Sequence, residues 1–104
     1  MVTVKEILSI PALRKLLVIA GEQGLSKRVS YVTVMEVPDI VRWLKGNDFV
    51  ITSLYAVKDN LEEQINLIDK LADTHCSCLA IKTGQYVKEI DQSLIDRANL
   101  RGLV

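Results

Sequence analysis

The chain has 104 residues, 49% of them hydrophobic and 25% charged, which suits one domain with a buried core and excludes a disordered segment. Thirteen basic residues balance thirteen acidic ones, so the net charge of zero offers no general attraction to nucleic acid or to an anionic membrane, and a free-standing DNA-binding domain is not expected. No apolar run approaches the roughly 18 residues that span a bilayer and the N-terminus lacks a signal-peptide core, so the expected location is the cytoplasm, with no membrane partner.

In chain order, Thr3 and Glu6 stand three apart ahead of Ile7 and Leu8, the spacing of a capping box, and predict a short helix to about Ser9. Pro11 keeps it short. The apolar run from Leu13 to Ala20 is read as strand in its second half, Leu16 to Ala20. Gly21-Glu22-Gln23-Gly24 is a turn rather than a phosphate loop, because it lacks the Lys-Ser/Thr pair and the helix that would follow. Val29, Tyr31, Thr33, Met35 and Val37 alternate with their neighbours, which predicts a strand pairing with Leu16–Ala20 in a hairpin-like way. Lys27-Arg28 is read as a solvated pair flanking that strand.

The stretch from Glu36 to Ser53 is the expected organising unit. Pro38 has no N–H for a ladder and ends the strand; it then starts a short helix whose Ile40, Val41 and Leu44 share one face, with Trp43 as its core anchor and Gly46 as its stop. Asn47-Asp48 turns the chain into Phe49-Val50-Ile51, an unbroken apolar run expected of a strand covered on both sides.

Next, Asp59 or Asn60 caps a helix to about Thr74, with Leu61, Ile65, Ile68, Leu71 and Ala72 on its apolar stripe. Cys76 to Ile81 reads as another buried strand with both cysteines reduced and on one face, and Asp91 to Asn99 as a helix with Leu94, Ile95 and Ala98 inward and Gly102 as its cap. Leu103 and Val104 begin an apolar segment, so the chain is expected to be a piece of a longer protein that starts at Met1. The expected fold is a single α/β domain with a mixed, mainly parallel sheet of about four or five strands and flanking helices.

No chemistry-bearing constellation emerges. His75, Cys76 and Cys78 supply three potential zinc ligands where a structural site needs four, and a single histidine cannot supply a base for a triad. The expectation is no enzyme, no metal and no cofactor. If Phe49–Thr52 and Cys78–Ile81 are parallel strands joined by a helix, their carboxyl ends share one edge of the sheet, where open α/β sheets bind ligands. That nominates Thr52, Ser53, Tyr55, Lys82 and Thr83, with Glu36 and Asp39 arriving from the preceding loop; the alternative is that these groups cap helices and face water.

Thr3–Leu8 (TVKEIL), Val18–Leu25 (VIAGEQGL), Val32–Thr52 with VPD and WLKGNDFVITS, and Leu79–Tyr86 (LAIKTGQY) together resemble the N-terminal domain of the purine catabolism regulator (PucR) family of bacterial transcription factors. Two departures stand out: Val37 takes the place of the usual Leu, and Thr52-Ser53-Leu54 that of the usual Thr-Thr-Gly. The resemblance covers nearly the whole chain and implies that residues 1–104 form a signal-sensing regulatory domain responsive to a small-molecule effector. It also implies DNA contact only through a separate C-terminal helix-turn-helix. A homodimer is expected, because operator symmetry mirrors protein symmetry and the strand ahead of Pro38 is an apolar edge. The alternative function is an interaction or dimerisation module with no ligand of its own.

Overall fold

A computed structural model describes residues 2–11, 16–34, 36, 44–84 and 87–104. The first helix, α1 (Val4–Leu8), opens on the expected capping box: Thr3 Oγ1 accepts from the Glu6 N–H at 3.2 Å, and the Thr3 N–H donates to Glu6 Oε1 at 3.2 Å. A strand the sequence did not signal precedes it. That strand, β1 (Val2–Thr3), pairs antiparallel with β2 (Arg28–Val29), Val2 opposite Val29.

This pairing divides the long strand expected from Val29 onward. The Ser30 N–H donates to the Asn47 carbonyl at 2.9 Å, and β3 (Tyr31–Val34) then runs parallel to β4 (Asp48–Thr52), with Tyr31 opposite Asp48 and Val34 opposite Ile51. On its other side β4 runs parallel to β5 (Cys78–Ile81), Phe49 opposite Cys78 and Thr52 opposite Ile81. The parallel pairing of these two strands is therefore as expected. The sheet is not: among the described residues a three-stranded parallel sheet, β3-β4-β5, and a two-stranded antiparallel one stand where a single mixed sheet of four or five strands was expected. Val29 spends its backbone on β1, and Leu16–Ala20, expected as a strand in a hairpin, lies outside both sheets, with Leu17 82% exposed.

The central sheet carries a core on each face. Val50, with no exposed surface, packs with Leu67, Ile68 and Leu71 of α2 (Leu61–Asp73) and Leu94 and Ala98 of α3 (Gln92–Arg101). Phe49 packs on the opposite face with Val4 and Ile7 of α1, Val29 and Cys78. Two covered faces explain the unbroken Phe49-Val50-Ile51 run. They also separate the cysteines: Cys76 lies just ahead of β5 in the larger core and Cys78 within β5 in the smaller one, not on one face of a strand as expected. Burial pushes the Cys76 thiol up to about 11 and Cys78 to about 12, so both are free, protonated and unreactive at neutral pH.

Asn60 caps α2, its side chain accepting from the Glu63 N–H at 3.1 Å. The buried stripe is Gln64, Leu67, Ile68 and Leu71, whereas Leu61, expected inside, is 42% exposed. Gln64 takes the inward position because its amide donates to the Val57 carbonyl at 3.0 Å, tying α2 to the 3₁₀ turn Tyr55–Val57. Asp91 caps α3, and Gly102, at φ 71°, ends it in the left-handed conformation expected of a glycine cap.

Beyond Gly102 the chain turns inward. Leu103 is 1% exposed, and the Val104 carbonyl accepts from the Leu79 N–H of β5 at 2.9 Å. The Gly21–Gly24 turn seats this exit: the Gly21 N–H donates to Asn99 Oδ1 at 2.8 Å, and Lys27 Nζ, just beyond the turn, donates to the Gly102 carbonyl at 2.6 Å. The helix expected from Pro38, with Trp43 as its anchor, lies outside the described residues, as does Asp39.

Candidate functional site

The register of Thr52 opposite Ile81 brings the carboxyl ends of β4 and β5 to one edge, and the Lys82 N–H donates to the Thr52 carbonyl there at 2.8 Å. Leu54 follows at φ 63°, a left-handed conformation that is sparsely populated for a leucine, and its N–H turns back to Thr52 Oγ1 at 3.2 Å. Glu36, two residues past β3, closes over this turn. Its carboxylate accepts from Thr52 Oγ1 at 2.7 Å, from the Ser53 N–H at 3.1 Å to each oxygen, and from Ser53 Oγ at 2.5 Å. Partial burial works against the charged carboxylate, but the Ser53 hydroxyl, the Thr52 hydroxyl and the backbone N–H groups outweigh it and hold Glu36 below its ordinary 4.5. It is an anion at neutral pH.

Of the nominated residues, the structure gathers Glu36, Thr52 and Ser53 into one hydrogen-bonded knot, with Thr52 2% and Ser53 3% exposed. Tyr55 stands beside the knot with its ring half exposed and the Lys58 ammonium 5.8 Å from its centroid. Lys82 joins through its backbone, its side chain exposed, and Thr83 follows it on the exposed loop. Both Thr52 and Ser53 hydroxyl protons are directed at Glu36, so the knot offers an exposed carboxylate to a ligand and no free hydroxyl donor. Chemically it can accept hydrogen bonds at a fixed point. His75 lies at the other end of β5, and among the described residues no group of three or more His, Cys, Asp or Glu is placed to hold a metal ion.

A concavity lies elsewhere. A groove of about 480 Å³ runs beside β5, lined by Val18, Ile19, Ile81, Leu94, Ile95 and Val104 among others, and of the described nominated residues Thr83 alone reaches it. Sequence reading passed over this groove because its walls come from segments far apart in the chain. Its single visible signal was the apolar Leu16–Ala20 run, which finds no partner strand.

A family model described as "Purine catabolism regulatory protein-like family" matches residues 6–104. Among curated proteins, the purine catabolism regulatory protein of Bacillus subtilis (strain 168) is 34% identical over 94 residues. That alignment takes in 90% of this chain and 18% of the relative, so the chain spans less than a fifth of the relative's length. No solved structure matches the chain.

Proposed function

This chain belongs to the purine catabolism regulatory protein-like (PucR) family, and from that membership we propose that it is the small-metabolite-sensing domain of a cytoplasmic bacterial transcription regulator. No catalysis is assigned to it. DNA contact is assigned to another part of the regulator, in keeping with a net charge of zero. The observation that carries the sensing reading is the Glu36 carboxylate, partly exposed at the carboxyl ends of parallel strands and pinned by Thr52 and Ser53. A ligand rich in N–H donors, as purine-derived rings are, has a carboxylate acceptor to bind there. Competition for Glu36 would loosen the Ser53–Tyr55 segment, and the Tyr55–Val57 turn passes that change to α2 through Gln64.

The test is a thermal-shift screen of purine-pathway metabolites. A ligand at a hundred times its Kd stabilises by about 2.7 kcal/mol, a readily visible rise in Tm, and Glu36→Gln is expected to lose that rise. No shift of the parent by any such metabolite would sink the sensing reading. The same variant has a pH signature without ligand. Because the folded pKa of Glu36 lies below its ordinary 4.5, its stabilising effect is complete above 4.5 and is lost as pH falls through the folded value. Parent and Glu36→Gln are therefore expected to differ in stability at pH 7 and to converge in acid.

A specific feature favours a second role in dimerisation. β3 is an edge strand, and its Tyr31, Val32 and Val34 are 45%, 60% and 72% exposed. Sedimentation equilibrium is expected to show a dimer at about 100 μM, well above the micromolar Kd of a modest interface; a monomer mass there would leave dimerisation to other parts of the regulator.

A further inference from the structure

Among the described residues, β5 is the edge strand of the central sheet on the side away from β3. Its backbone groups point alternately inward and outward. The Lys82 N–H reaches inward to the Thr52 carbonyl at 2.8 Å, and the Leu79 N–H reaches outward to the Val104 carbonyl at 2.9 Å. Ile81 shares the parity of Leu79, so its N–H and carbonyl also face outward, along the groove.

Chain direction decides what can take those groups. The chain leaves β5 at its carboxyl end, returns through α3, turns at Gly102 and arrives at Leu79, near the start of β5. A strand begun at Val104 would run parallel to β5, the arrangement that a strand, helix and strand connection favours. The arrival point is built to shape. A Cβ on Gly21 would lie 2.1 Å from the Leu103 carbonyl oxygen, and one on Gly24 2.8 Å from Val104 Cγ2, so both glycines leave room for this segment. Ahead of Val104 the groove presents Ile81 on the β5 side, with Val18, Ile19, Leu94 and Ile95 around it.

We propose that this groove seats a further strand parallel to β5, formed by the polypeptide that continues from Val104 in the intact regulator, and that this strand is the seam joining the domain to the rest of the protein. A regulator of the relative's length has ample chain to supply it. A second copy fits less well, because Val104 already holds the Leu79 N–H and an incoming strand would have to displace it. Only the segment covalently continuous with Val104 extends the pairing in register. Its alternate residues should be apolar, to fill the groove. On its far side it meets Leu16–Ile19, whose exposed apolar side chains otherwise lack a partner strand. The proposal stands on backbone geometry and does not depend on ligand sensing.

Hydrogen exchange read at single amides, in the 104-residue chain and in the intact regulator, tests it. The Ile81 N–H is expected to exchange at least about tenfold more slowly in the regulator, as an amide that gains a ladder partner does. Amides of the residues following Val104 are expected to be protected in the regulator and to exchange faster in Ile81→Pro, which deletes the outward donor while leaving pairing to β4. Equal Ile81 exchange in the two proteins would overturn the proposal. So would unprotected amides after Val104. Protection of Ile81 in the 104-residue chain that rises with protein concentration would assign the groove to a second copy and overturn it as well.

Discussion

Phe49→Ala is expected to lower stability by about 3–5 kcal/mol in denaturant unfolding, the range for removing a fully buried aromatic side chain. Phe49 is 1% exposed and packs with Val4, Ile7, Val29 and Cys78, so it is the central contact between the β4-β5 pair and the N-terminal unit of β1, α1 and β2. β1 and β2 are two residues each, and a two-stranded ribbon has little stability of its own. The loss is about a fifth or more of the total for a domain of ordinary stability. It should also be visible locally: the Val4 N–H, which donates to the Lys27 carbonyl at 2.9 Å, is expected to exchange faster in the variant than amides of α2. A variant that unfolds like the parent would show that the N-terminal unit is held by something other than Phe49.

Gly21→Ala is the second large effect, and it has two separable causes. Gly21 sits at φ 66°, where an L-residue with a Cβ costs about 1 kcal/mol. The added Cβ would also lie 2.1 Å from the Leu103 carbonyl oxygen, 2.3 Å from its carbon and 2.7 Å from the Val104 nitrogen, all backbone atoms that move only if the chain exit moves. Displacing that exit draws Leu103, 1% exposed, out of the larger core and breaks the Leu79–Val104 hydrogen bond, so a total of about 3–5 kcal/mol is expected. Gly46→Ala separates the two causes. Gly46 has a φ of 92° and its nearest neighbour, the Thr74 carbonyl oxygen, would be 4.0 Å from the new Cβ, so it carries backbone strain without the clash. Equal Tm values for the two variants would show that Gly21 is needed for its φ alone.

The two variants differ in how far the sequence foretold them. Phe49 was legible as a residue of a doubly covered strand, because an unbroken apolar run needs no knowledge of its partners to be read that way. The Gly21–Gly24 turn was legible only as a turn. Its task, seating the end of α3 some eighty residues on, depends on atoms brought together by folding. The nominated site divides in the same way. That Thr52 and Lys82 share a sheet edge followed from reading two strands and a helix between them, and the Lys82 to Thr52 hydrogen bond bears it out. That Thr52 and Ser53 direct their hydroxyl protons at Glu36 did not follow, since the distance in sequence is sixteen and seventeen residues.

By itself the sequence determined the family, the Thr3–Glu6 capping box, the helices α2 and α3 with the Gly102 cap, and the strand character of Phe49–Ile51 and of Cys78–Ile81, while the structure chose Asn60 over Asp59 as the cap of α2. Each rests on groups within a few residues of one another, where chain connectivity leaves little choice. Tertiary structure alone decided that Val29 leaves its neighbours to pair with Val2, that among the described residues five short strands form two sheets, and that Leu16–Ala20 stays outside both. It also decided that Cys76 and Cys78 enter different cores and that Gln64 displaces Leu61 from the buried face of α2. In each of these, strand-forming or apolar character was plain, but the choice among partners lay with distant backbone donors and with which face of the sheet was already filled.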